Sequence, residues 1–259
     1  MTKKYFFFDI DGTLTDRKTN QVVPSAQLAL QKLQEAGHFV AIATGRAHYK
    51  ARPFMEQIGL ENMVCAGGGA LVIDNQLKQN HPLDLEKAVG IIQQAEKLGY
   101  GVLLSLDDSY VVHAKNDLFR QQVGERQEKT DYLINPKLDF QQLTRIFKIY
   151  ISVGKEEEER LIKRNDLGNL RFVPDYLMFQ YDAKHQGILE MMKELEAPLA
   201  EVVVFGDDTN DLVMFDSQWL SIAMGNGGQD VKEKADYVTD LNVNDGIYKA
   251  CQHFGWFNS

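Results

Sequence analysis

The sequence is poor in cysteine, in proline and in positive charge. Only Cys65 and Cys251 are present, and they form neither a CxxC pair nor a cluster with histidine. Their number and spacing argue against a disulfide framework or a structural zinc site, and for two ordinary buried thiols in a reducing, cytoplasmic setting. Six prolines in 259 residues leave room for long regular elements. Lysine and arginine number 28 against 37 acidic residues, a formal net charge of −9. That balance argues against broad charge-driven binding to nucleic acid or to an anionic membrane, yet it leaves room for a local basic site that holds a phosphate. The apolar run nearest the N-terminus, Tyr5–Phe8, is far short of the ~20 residues that a membrane span needs. No small-residue cleavage site follows a longer apolar core, so the run is expected to be a buried strand and not a leader. No repeat and no low-complexity segment is visible.

What is present is enough apolar material, 44%, for a packed core. The length suits one large domain or two moderate ones. The first third alternates short apolar runs with helical spacing: Tyr5–Phe8, then Ser25–Ala36 closing at Gly37, Phe39–Ala43, Ala47–Ile58 closing at Gly59, and Met63–Ala66 before Gly67-Gly68-Gly69. The last third resumes the alternation, with a helix over His185–Leu195, a strand over Val202–Phe205, a short helix over Asp211–Ser217, and strands at Leu220–Ala223 and Tyr237–Thr239. Runs that are apolar on both faces are what a buried parallel sheet requires, so this part reads as an α/β, Rossmann-like core. The middle reads differently. It suggests a helix over Leu85–Leu98, a hairpin of Val102–Leu106 with Tyr110–Ala114, a helix over Asn116–Val123, a strand over Ile146–Val153, a charged helix over Lys155–Lys163, and a hairpin of Arg171–Val173 with Leu177–Tyr181. Hairpins imply an antiparallel sheet. The expected architecture is therefore a parallel-sheet core domain of residues 1–82 and 183–259 with an inserted α+β domain of residues 83–182.

Four polar segments follow predicted strands of the core or open its helices, where ligands of open α/β sheets bind. Asp9-Ile10-Asp11-Gly12-Thr13 ends the first strand. Alternation puts Asp9 and Asp11 on one side with Ile10 toward the core, and a nearby cation or a proton shared with substrate would relieve their repulsion. Gly12 permits a tight turn; a plain strand-end Asp turn is the bland alternative. Thr44-Gly45-Arg46 ends the second strand, where a hydroxyl, a glycine N–H and a following helix N-terminus can hold an anion, unless Thr44 is simply an N-cap. Lys184, where the chain returns to the core, could neutralise a phosphate or be a solvated helix-start lysine. Gly206-Asp207-Asp208-Thr209-Asn210-Asp211 packs three carboxylates and an amide into a span that is electrostatically costly without a cation.

Together, and in this order, these segments resemble the haloacid-dehalogenase phosphatases, and the inserted domain resembles the large α+β cap of the Cof-type subgroup. The resemblance takes in nearly the whole chain, including Ala223-Met224-Gly225-Asn226, Ala235–Thr239 and Asp245-Gly246-Ile247, with the insert in the order αββαβαββ. It implies that Asp9 attacks phosphorus and carries an aspartyl-phosphate. It implies that Asp11 protonates the leaving oxygen and later deprotonates water. Thr44, Gly45 and Lys184 would hold the phosphoryl oxygens. Asp207, the Asp9 carboxylate and the Asp11 main-chain carbonyl would hold Mg²⁺. Asn210 and Asp211 would orient metal waters, phosphate or Lys184, with Gly12 and Arg46 in support. Two departures stand out: Gly68-Gly69-Ala70 replaces the subgroup's usual Asn-Gly-Ala, and His185 stands where glycine usually follows the lysine. His185 is a substrate contact or, more simply, a surface histidine.

The expected activity is hydrolysis of a small phosphorylated metabolite, such as a sugar phosphate, by a cytoplasmic monomer or homodimer. A sugar phosphomutase with the same site, or a non-catalytic sensor of a phosphate ligand, are the other readings. Hinges are expected near Pro82 and Asp182–Lys184.

Overall fold

A computed structural model of the chain describes residues 2–257. It divides into two compact units, Met1–Gln79 with Ala183–Ser259, and Asn80–Asp182. The sequence put the first boundary three residues later; the division falls near the end of a strand, Gln76–Asn80.

In chain order the elements are β1 (Tyr5–Phe8), α1 (Pro24–Glu35), β2 (Phe39–Ala43), α2 (His48–Gln57), β3 (Met63–Cys65), β4 (Ala70–Ile73) and β5 (Gln76–Asn80). The middle unit supplies α3 (Leu85–Lys97), β6 (Val102–Ser105), β7 (Val111–Ala114), α4 (Leu118–Val123), β8 (Asp131–Ile134), β9 (Lys148–Ile151), β10 (Asn169–Val173) and β11 (Tyr176–Phe179). The chain then returns through α5 (Lys184–Glu194), β12 (Val202–Gly206), β13 (Leu220–Ala223), α6 (Gln229–Lys234), β14 (Tyr237–Val238) and α7 (Gly246–His253).

The first unit is built on an eight-stranded sheet in the order β14-β13-β12-β1-β2-β3-β4-β5. From β14 to β3 all pairs are parallel, and β4 turns back antiparallel to β3. The parallel part runs outward from β1 in both directions, so the carboxyl ends of β1 and β12 flank a topological switch point. Side-chain alternation explains the central position of β1. Phe6 and Phe8 face a core with Leu30 and Leu33 of α1 and Ile247 of α7, while Phe7 faces a second core with Ile188 and Met191 of α5. Each buried phenylalanine contributes roughly 1.5–3 kcal/mol, so the strand that leads into Asp9 is fixed on both faces.

The β4–β5 hairpin was not anticipated. Its two-residue turn, Asp74-Asn75, has positive φ at both positions, as a type I′ hairpin turn requires.

The second unit has a six-stranded sheet, β10-β11-β9-β6-β7-β8, antiparallel except for the parallel pair β7·β8. Ala88, Ile91, Ile92 and Ala95 of α3 pack on one face with Leu104, Ile149 and Phe179. Two expectations fail here. The charged helix over Lys155–Lys163 is replaced by separate 3₁₀ turns at Glu158–Arg160 and Ile162–Asp166. Four successive glutamates repel one another, and Leu161 is the only buried apolar residue between them and Ile162, so no apolar stripe exists to dock a helix. A further strand, β8, lies at the sheet edge with an exposed face that carries no burial alternation to read. The expected αββαβαββ order is therefore α-β-β-α-β-β-β-β. Among the described residues no helix is long and apolar enough to cross a membrane.

Candidate active site

Parallel register brings the polar segments together. Phe8 lies opposite Phe205 on one side and Ile42 on the other, so the residues just past these strands meet at one end of the sheet. Asp9 N–H donates to the Phe205 carbonyl at 3.0 Å, and Thr44 N–H donates to the Val64 carbonyl at 2.9 Å. Asp207 follows the last residue of β12, and Lys184 opens α5.

Asp9, Asp207, Asp211 and Lys184 are all buried. The Lys184 ammonium donates to Asp9 Oδ1 at 2.8 Å and to Asp211 Oδ1 at 2.7 Å. Asp211 Oδ2 accepts the backbone N–H groups of Asp207 and Asp208 at 3.0 and 3.2 Å. Asp211 thereby ties the loop after β12 to the lysine. Gly206 makes this possible, since a Cβ there would lie 2.6 Å from Asp211 Cβ. Burial pulls the Lys184 ammonium down, but the Asp211 and Asp9 carboxylates outweigh it and hold its pKa above the ordinary value. Burial, with the Asp211 charge, pushes the Asp9 carboxyl up to about 7 against the pull of Lys184. Burial likewise raises Asp207 to about 6, although Arg17 opposes it.

Those shifts share one cause: three desolvated carboxylates face one desolvated ammonium. Oxygens of Asp9, Asp207 and Asp211 lie within 4.8 Å of one another. An all-oxygen, anionic donor set of this kind suits a small hard divalent cation and does not suit a soft, sulfur-seeking one. Donors reach both oxygens of Asp211 and of Asp207, whereas Lys184 holds Asp9 through Oδ1, so among the described residues Asp9 is the carboxylate with most to offer a cation.

The other expected residues are distributed as follows. Ile10 is buried in the core, but the chain leaves the extended form there, with Leu14 and Thr15 both donating to its carbonyl. The Asp11 carboxylate is exposed and is clamped by Arg46, whose Nη2 and Nε donate at 2.6 and 3.3 Å. Asp9 and Asp11 thus do not share a cation between their side chains; each has its own, Lys184 and Arg46. Thr44 is buried and its hydroxyl accepts the Arg46 N–H at 3.2 Å. It is not the N-cap of α2, a place taken by Ala47. Gly45 is half-buried between them. Asn210 is half-buried on the 3₁₀ turn Thr209–Met214, and among the described residues the hydrogen bonds of the carboxylate cluster do not run through it. That turn stands where a short helix over Asp211–Ser217 was expected; Asp211 faces inward to Lys184 and the loop amides instead of continuing an α-helix.

The two departures find physical roles. Gly68 has φ +101°, and a Cβ on it would lie 2.1 Å from the Ala183 carbonyl and 2.9 Å from Lys184 N. Any side chain there would push away the helix start that presents Lys184. His185 is half-buried against the Trp219 ring, 4.9 Å between centroids, with Nε2 3.2 Å from Asp216.

Three further residues enter the site. Arg17 binds Asp207 and Asp208. Asn226 Nδ2 donates to the Gly12 carbonyl at 2.8 Å and to Asp207 Oδ2 at 3.3 Å. Asn242 links the Thr15 carbonyl to Asn226. Arg17 lies in a turn and Asn242 opens the short 3₁₀ turn Asn242–Asn244, and no pattern in the sequence singles them out.

Comparison with known proteins gives a consistent result. The sequence pattern of the haloacid dehalogenase-like hydrolases matches residues 6–251. YkrA of Bacillus subtilis (strain 168) is 29% identical over 260 residues, covering 98% of this chain and 99% of YkrA. The pyridoxal phosphate phosphatase YbhA of Escherichia coli (strain K12) is 26% identical over 265 residues, covering 95% of this chain and 97% of YbhA. The solved structure of the subclass IIB sugar phosphatase BT4131 is similar at a TM-score of 0.77 and 25% identity, covering 98% of this chain and 100% of that one.

Proposed function

The chain belongs to the haloacid dehalogenase-like hydrolases, as a Cof-type phosphatase acting on phosphoric monoesters, and on that premise we propose that it is a Mg²⁺-dependent enzyme working through an aspartyl-phosphate on Asp9. The observation that most supports this reading is the buried Asp9 carboxylate, paired with Lys184 and set beside Asp207 at the carboxyl ends of adjacent parallel strands.

In this account an Asp9 oxygen bonds to phosphorus as the ester P–O bond breaks. Asp11 delivers a proton to the departing oxygen. Asp11 then takes a proton from the water that attacks the aspartyl-phosphate, which frees inorganic phosphate and restores Asp9. Arg46 holds Asp11 at the solvent-facing edge of the site, where it can exchange protons. The Thr44 hydroxyl, the Gly45 N–H and Lys184 hold the phosphoryl oxygens. Asn210 and Asp211 orient these groups, and the Asp211–Lys184 pair fixes the ammonium. Asp9, Asp207 and the Asp11 main-chain carbonyl would hold Mg²⁺, which would offset the repulsion between an anionic nucleophile and a phosphate dianion. A neighbouring cation also favours the ionised form of Asp9, which the nucleophile requires and which burial alone resists.

The substrate in this reading is a small phosphorylated metabolite, a sugar phosphate or a similar phosphomonoester. BT4131 is a sugar phosphatase and YbhA a pyridoxal phosphate phosphatase, both of compatible size. The net charge of −9 disfavours nucleic acid and anionic membrane as partners, and the cytoplasm, with a monomer or homodimer, is the proposed setting.

The test is phosphate release from a panel of phosphorylated metabolites and an aryl phosphate, using wild type and Asp9→Asn with Mg²⁺ or a chelator. Release that needs both Asp9 and Mg²⁺ is expected. Undiminished release by Asp9→Asn would sink the covalent account, and undiminished release in chelator would sink the metal.

A further inference from the structure

Arg17 is the cation that the chain itself supplies to Asp207. Its Nε and Nη2 donate to Asp207 Oδ2 at 3.2 and 2.9 Å, and Nη2 also donates to Asp208 Oδ2 at 2.8 Å. Asn226 Nδ2 reaches the same Asp207 oxygen at 3.3 Å, and the Thr13 hydroxyl donates to the other at 3.1 Å. Each carboxylate oxygen offers about two lone-pair sites, so Oδ2, which takes three of these donors, is filled, whereas Oδ1 takes Thr13 alone. A divalent ion can therefore ligate Asp207 through Oδ2 only by displacing a donor.

The donors differ in how easily they leave. Thr13 is fully buried, and Asn226 is held from two other sides by the Gly12 carbonyl and the Asn242 N–H. Arg17 is the loose one. Its side chain is 53% exposed, it rides on a long flexible stem, and it has the 51% exposed Asp208 as a second acceptor. The backbone makes room for it: at Gly12, φ +99°, a Cβ would lie 2.4 Å from Arg17 Nε and 2.2 Å from Asp207 Oδ2.

We propose that Arg17 is a built-in competitor for the divalent ion, holding Asp207 in the metal-free protein and releasing it, while keeping Asp208, when the ion binds. The inference rests on the reading of Asp207 as a metal ligand. In the metal-free state the guanidinium offsets part of the surplus charge of the buried carboxylates, so the loop after β12 keeps its form. The same contact must be undone for the ion to take Oδ2, which lowers the apparent affinity. Competition is reciprocal, so the bound ion loosens Arg17 as much as Arg17 weakens the ion. The two-pronged guanidinium contact sets the strength of this latch; a lysine would keep the charge without the fork.

The experiment is calorimetric titration of substrate-free wild type, Arg17→Gln and Arg17→Lys with MgCl₂, with loss of the free Mn²⁺ paramagnetic resonance signal as a second readout. Arg17→Gln is expected to bind roughly tenfold tighter, the scale of one charge-assisted hydrogen-bonded contact removed from the competition. Arg17→Lys is expected to fall between it and wild type. The proposal fails if neither variant that folds binds more tightly than wild type. Absence of binding in wild type and variants alike would instead overturn the metal-site reading beneath it.

Discussion

Around Asp9, four aspartates stand with Lys184 and Arg17; in the stretch Glu156–Arg164, four glutamates stand near Arg160, Arg164 and Arg171. The two regions have similar charge on paper and opposite physics. Asp211 and Lys184 expose 0% and 1% of their side chains, whereas Glu157 and Arg160 expose 52% and 54%. Water screens the Glu157–Arg160 pair, so it is worth ~0–1 kcal/mol and has no demanding geometry. Asp9, Asp207, Asp211 and Lys184 have surrendered their hydration, so nearly every oxygen must find a partner and the excess negative charge must find a cation. Burial at the end of parallel strands, and not the number of charges, distinguishes a chemical site from a solvated surface.

Removing a charge from each region sharpens that contrast. Lys184→Met leaves Asp9 and Asp211 buried without their ammonium, and should lower unfolding stability by about 3–5 kcal/mol in urea titrations while phosphate release falls by roughly 10²-fold or more. A loss no larger than that of a surface substitution would erase the distinction. Gly68→Ala tests the backbone support of the same lysine. A Cβ 2.1 Å from the Ala183 carbonyl, at positive φ, should cost about 1–3 kcal/mol and depress turnover, whereas full stability and activity would show that the helix start can shift freely.

Acidity separates the regions in a third way. The folded pKa values of Asp9 and Asp207, about 7 and about 6, lie above the ordinary 3.8. The folded chain therefore holds protons that the unfolded chain has released, and the corresponding stability, complete below about pH 4, is lost as pH rises through 6 and 7. In chelator the urea midpoint should fall between pH 5 and 7.5, and fall less when Mg²⁺ is present. A midpoint that climbs over that range would contradict the buried-carboxylate account. The smallest effect belongs to the exposed stretch: Arg160→Gln should change stability by less than about 0.5 kcal/mol and leave phosphate release unaltered. A larger change would mean that the exposed pairs carry structural weight.

Much of this molecule is legible in its sequence, for a physical reason. A parallel sheet covered on both faces demands continuous apolar runs, and Tyr5–Phe8, Phe39–Ala43 and Val202–Phe205 are such runs. What escaped lies at exposed edges. Gln76–Asn80 and Asp131–Ile134 form strands by backbone pairing with little apolar signature. The charged stretch after Lys155 looked helical by composition but has no buried stripe to hold a helix. In the site, the residues that meet were visible as short polar segments beside strands, but their partnerships were not. Arg46 clamps Asp11 across 35 residues and Arg17 holds Asp207 across 190, distances over which local pattern carries no information. Gly68 read as a missing amide; its necessity comes from the Ala183 carbonyl pressed against it.

The central claim is that Asp9 becomes phosphorylated during turnover. The most direct measurement is acid quenching of wild type during hydrolysis of a radiolabelled phosphomonoester with Mg²⁺, followed by peptide mapping. The account predicts a transient, base-labile label on the peptide that contains Asp9 and none in Asp9→Asn. Rapid phosphate release with no label on that peptide at any time would contradict it.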